Sequence, residues 1–104
     1  MKYDELDLME LFLSESESLT DNIGDGNIMY KISKDDFTLK IFIRTYENQI
    51  SVFLTYKEKE IFYGDFDNIT ELKKEDTYLR ILREDSTIAS LCFGTMLSIS
   101  IEKQ

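Results

Sequence analysis

A chain of 104 residues with one cysteine, Cys92, makes a single domain and excludes an internal disulfide scaffold. Its 21 acidic and 12 basic residues give a net charge of −9, and residues 1–30 hold eight of the acids against only Lys2. That excess would repel a polyanion such as DNA, RNA or an anionic membrane, and it favours a cationic partner.

In chain order, the first element is a helix predicted over residues 4–13. Apolar residues at 6, 9 and 13 and at 8, 11 and 12 keep helical spacing, and acids in the first turn complement the helix dipole. The same acids interrupt what would be the apolar core of a secretory leader, and no apolar run nears the ~20 residues of a membrane span. A soluble, cytoplasmic protein is the expectation. Ser14-Glu15-Ser16-Glu17-Ser18 reads as an acidic turn, and Asp21 to Asn27 as a loop rich in residues that tolerate positive φ.

From Ile28 the period changes to two. Met29 to Ser33 is a short predicted strand, with a turn at Lys34-Asp35-Asp36. Phe37, Leu39, Ile41 and Ile43 then alternate with Thr38, Lys40, Phe42 and Arg44. After Glu47-Asn48-Gln49 the returning strand places Ile50, Val52, Leu54 and Tyr56 opposite Ser51, Phe53 and Thr55. Lys57-Glu58-Lys59-Glu60 is the next turn, before a strand over Ile61 to Phe66. Residues 67–77 are expected as a loop or a short helical turn. Tyr78 to Arg83 and Thr87 to Phe93 form another hairpin through Glu84-Asp85-Ser86, and a last strand carries Leu97, Ile99 and Ile101 on one face. Short connections between successive strands imply an antiparallel meander. The expected fold is α+β, one domain over 1–104, with the N-terminal helix packed on a six- or seven-stranded antiparallel meander. Its core should include Leu39, Ile41, Val52, Leu54, Leu97 and Ile99.

The residue types then narrow the chemistry. With no histidine and one cysteine, the Ser-His-Asp and Cys-His pairs and the Cys/His zinc sites are excluded. Asp65-Phe66-Asp67-Asn68 has carboxylates two apart, but Ile69 stands where a calcium loop needs an oxygen ligand and Thr70 where it needs glycine. The stretch from Asp21 to Gly26 fails in the same way at Ile23. No enzyme, metal or cofactor is expected. A recognition surface is the remaining reading, because six tyrosines and seven phenylalanines sit among carboxylates. Phe42 and Phe53 lie on otherwise polar strand faces, as a second small core or as an interface. Tyr46, Tyr63 and Phe66 lie near turns and are interface candidates.

Several stretches carry a family resemblance. They are Glu10-Leu11-Phe12-Leu13-Ser14-Glu15-Ser16-Glu17, the hairpin from Leu39 to Leu54, Thr55-Tyr56-Lys57-Glu58-Lys59-Glu60-Ile61, and Asp67-Asn68-Ile69-Thr70-Glu71-Leu72. In these, over residues 5–101, the chain resembles the immunity proteins of contact-dependent growth inhibition systems, specifically those paired with ribonuclease toxins. It departs from them in its compact Ile88–Ile101 end and in its Asp21–Gly26 loop. The resemblance implies a monomer that binds a basic toxin nuclease domain one to one in the cytosol and covers its active site, binding neither nucleic acid nor membrane. The residues expected to meet the toxin are Glu15, Glu17, Glu58, Glu60, Asp65 and Asp67 as steering charges, with Tyr63 and Phe66 as anchors. The alternative is a phage-type acidic inhibitor that mimics nucleic acid to block a host nuclease.

Overall fold

Asp4 opens the helix by accepting the backbone N–H of Leu6 at 2.8 Å, and Leu13 ends it with a left-handed backbone (φ 57°). Between them α1 spans Glu5–Phe12 and buries Leu8, Leu11 and Phe12. The computed structural model describes residues 1–20 and 23–102, so Asp21 and Asn22 of the expected loop lie outside the described residues.

Nine strands follow among the described residues: β1 Glu17–Ser18, β2 Asn27–Lys34, β3 Phe37–Arg44, β4 Gln49–Tyr56, β5 Lys59–Phe66, β6 Glu71–Glu75, β7 Tyr78–Arg83, β8 Ser86–Cys92 and β9 Ser98–Ile101. They are antiparallel neighbours in sequence order, as a meander requires, but they divide into two sheets, β1 to β5 and β6 to β9. The α+β class and the meander agree with the expectation. The single sheet of six or seven strands is replaced by these two.

The two added strands lie where the sequence lacks a period-two signal. Residues 67–77, expected as a loop or helical turn, contain β6, whose one buried residue is Leu72. Its outer edge is covered by the start of the chain: Lys2 N donates to Thr70 O and Leu72 N to Lys2 O, each at 2.9 Å. The acidic turn contains β1, held to β2 by the pairs Glu17–Met29 and Ser18–Ile28.

The inner faces of the two sheets and the helix share one core. Leu39, Ile41, Ile43, Ile50, Val52 and Leu54 from the first sheet meet Leu72, Leu79, Ile81, Ala89 and Leu91 from the second. Leu97 is buried with them, while Ile99 is half-buried against the cluster. The helix bridges the sheets through Phe12, whose ring lies 5.3 Å from that of Tyr30 and 4.8 Å from that of Phe93. This places α1 on the inner side and leaves the other face of the first sheet uncovered by it.

Candidate protein-binding face

Register decides which side chains share that outer face, since residues directly opposite on paired strands point the same way. One row runs Glu17, Met29, Phe42, Ser51, Asp65 across the five strands. The next runs Lys31, Lys40, Phe53, Tyr63, and a third Ser33, Thr38, Thr55, Glu60. A diagonal of rings therefore crosses the sheet. Phe42 and Phe53 lie 5.1 Å apart at 62°, and Phe53 and Tyr63 4.6 Å apart at 40°, within the range of favourable aromatic pairs. Phe42 and Phe53 are half-buried by their neighbours, and Tyr63 is 48% exposed.

A polar network fixes the exposed end of this ladder. Tyr63 Oη donates to Asp65 Oδ2 at 2.6 Å, and Ser51 Oγ donates to Asp65 Oδ1 at 2.5 Å. Arg44 Nη1 donates to Ser51 Oγ at 3.2 Å, above a serine that is 3% exposed. The Ser51 hydroxyl, then that of Tyr63, holds the Asp65 carboxyl below the usual carboxylate range, with a smaller contribution from the Arg44 guanidinium. The bond to Asp65 in turn pushes the Tyr63 hydroxyl up. The same bond fixes the direction of the Tyr63 hydroxyl.

The eight residues expected to meet a toxin do not form one cluster. Glu60, Tyr63 and Asp65 share the outer face of β5, and Glu58 lies in the turn before it. Asp67 follows β5 and accepts from Gln49 Nε2 at 2.9 Å. Glu17 is on the same face but at the opposite edge, four strands away or about 19 Å at ~4.8 Å per strand. Glu15 lies between α1 and β1, beside it in sequence. Phe66 turns inward opposite Ile50, half-buried against the core, and so supports the face from beneath. Tyr46 is 76% exposed, in the short helical turn Thr45–Glu47. Asp65 and Asp67 accept from different partners, Asp65 from Ser51 and Tyr63 and Asp67 from Gln49.

Alternation already placed Lys40, Arg44 and Ser51 on the same polar strand faces as Phe42 and Phe53, but sequence reasoning gave them, and Lys31 on β2, no part in the site. Their polar, alternating positions are what any solvent-facing strand shows, and only the register with β2 and β5 brings them together. A cleft of about 490 Å³ at the seam of helix and sheets is lined by Leu11, Ile32, Phe93, Lys34 and Lys74 among others. Its cations are already engaged: Lys34 Nζ donates to Gly94 O, and Lys74 lies 3.4 Å from the Glu10 carboxylate.

No protein-family model matches the chain, and no curated protein matches it significantly. Among solved structures, the fold is similar to that of a chain in the contact-dependent growth inhibition toxin–immunity protein complex from Klebsiella pneumoniae 342. The TM-score is 0.69 at 14% identity, over 95% of this chain and 92% of that one. At this identity the likeness is one of fold.

Proposed function

We propose that this chain is an immunity protein, a binding module without catalytic activity that neutralises a basic toxin domain by covering its active site. The observation that carries the reading is the ring ladder Phe42–Phe53–Tyr63 on a sheet face the helix leaves open, ending in the hydrogen-bonded Tyr63–Asp65 pair. A rigid, half-exposed aromatic row rimmed by carboxylates suits a protein partner with a cationic surface. The fold it shares with a chain of a toxin–immunity complex supports the same reading. A nuclease must present cations to RNA phosphates, so the net charge of −9 complements such a toxin and repels its substrate. The complex is one to one and cytoplasmic in this reading, and the toxin is a ribonuclease.

The test is to co-express the chain with the toxin domain encoded by the adjacent upstream gene. Growth should be restored, and the purified pair should sediment as a one-to-one complex. Tyr63→Ala should speed dissociation and weaken binding by about 2 kcal/mol, as loss of a central aromatic anchor does. An absence of both protection and binding for the wild type would end this reading.

A further inference from the structure

Within the aromatic face lies a groove of about 270 Å³, with Phe42 and Phe53 beneath it and Thr38 and Thr55 along it. Lys31 and Lys40 also line it, and they stand directly opposite each other on β2 and β3. Like charges in that position repel across the strand pair. The chain has 21 acids available to neutralise them. Yet among the described residues neither ammonium is in an ion pair, whereas Lys73, Lys74 and Arg80 each are. The two lysines thus form a cationic spot on an aromatic floor, in the middle of a face whose edges carry Glu17, Glu60 and Asp65.

We propose that this groove receives an acidic side chain, presented beside an apolar or aromatic neighbour, from the surface of the partner protein. This rests on the immunity reading, with the toxin domain as the partner. The rings take the apolar group, and the two ammonium groups, with the Thr55 hydroxyl, take the carboxylate, while the Thr38 hydroxyl is held by that of Ser33 at 2.9 Å. A polynucleotide suits the groove poorly, because its successive phosphates would meet the carboxylates at the edges of the face. One reversed charge pair inside an otherwise acid-to-base interface also selects among toxins. A basic domain lacking the acidic residue would leave both lysines desolvated and unpaired.

Binding of the toxin domain to wild type, Lys31→Ala/Lys40→Ala and the rim variant Glu58→Gln tests this. The double lysine variant should bind roughly tenfold or more weakly, chiefly through faster dissociation, while its thermal midpoint is unchanged or higher because a repulsion has been removed. The rim variant should mainly associate more slowly. Wild-type affinity in the double lysine variant overturns the groove proposal and leaves the immunity reading standing. If the wild type itself fails to bind toxin, the immunity reading falls, and the groove is judged on a second measurement. Phenylacetate, titrated at millimolar concentration, should shift the resonances of Phe42 and Phe53 in the wild type, together with those of Lys31 and Lys40, and leave Phe42 and Phe53 unmoved in the double variant. No shift, the same shift in both proteins, or an equal response to inorganic phosphate overturns the carboxylate assignment.

Discussion

At the scale of single residues, Asp65 is where geometry and titration meet. Its carboxylate accepts from Ser51 and Tyr63, and both bonds favour the charged form. With the folded pKa below the unfolded one, the stabilisation is fully present above the ordinary aspartate value of about 3.9 and is lost as pH falls through the folded pKa. Ser51→Ala should therefore move Asp65 up toward that ordinary value, and Tyr63→Phe should do so by less, as read from carboxyl-carbon NMR titrations. Identical Asp65 titrations in all three proteins would mean that these bonds do not hold the charge. The sequence made Tyr63 and Asp65 legible as candidates, because an aromatic residue and a carboxylate near a turn are common interface parts. It did not disclose Ser51, which reaches Asp65 only through the β4–β5 register, nor the inward turn of Phe66. The apolar run Ile61-Phe62-Tyr63 hides which side is which, and an irregularity in the pairing at Leu54/Thr55 leaves Ile61 as an extra residue, 55% exposed.

At the scale of elements, the hairpins are set by their turns. Asp35–Asp36, Lys57–Glu58 and Glu84–Asp85 are two-residue loops with positive φ at both positions, the type I′ geometry that matches the twist of paired strands. Charged and polar residues mark these turns in the sequence, and period-two alternation marks the long strands between them, so most of the sheet was readable. The strands that were not readable, β1 and β6, are short and largely exposed, with Leu72 their one buried residue, so no apolar alternation marks them. Glutamate gains nothing from a left-handed backbone, which Asn-Gly adopts at low cost. Glu84→Asn/Asp85→Gly should then raise stability by about 0.5–1 kcal/mol. The turn keeps its anchor, since the bond from the residue 84 backbone N–H to Thr70 Oγ1 does not depend on the side chain. A urea midpoint that stays put or falls would show that the turn backbone carries no strain to relieve.

At the scale of the whole molecule, charge and shape act over different distances. The acids in and around β5, namely Glu58, Glu60, Asp65 and Asp67, lie beside the exposed end of the ladder, while Glu15 and Glu17 lie near the far edge, about 19 Å across the sheet. At physiological salt the Debye length is about 8 Å, so a partner approaching Tyr63 feels the near group strongly and the far group weakly. Neutralising Glu58, Glu60 and Asp67 together should therefore slow association with the toxin domain and flatten its dependence on salt. Neutralising Glu15 and Glu17 should change it less, except at low salt, where screening weakens and their field reaches further. Dissociation should stay nearly constant in both variants, because rim charges act on encounter and the aromatic anchors act on residence. Folding stability should move by no more than about 1 kcal/mol, as expected for exposed charges. Stopped-flow association rates across a salt series separate the two groups. If the far-edge variant slows association as much as the near-edge one at physiological salt, the encounter forms across the whole sheet face instead of at its β5 end. If neither variant slows it, steering plays no part in capture.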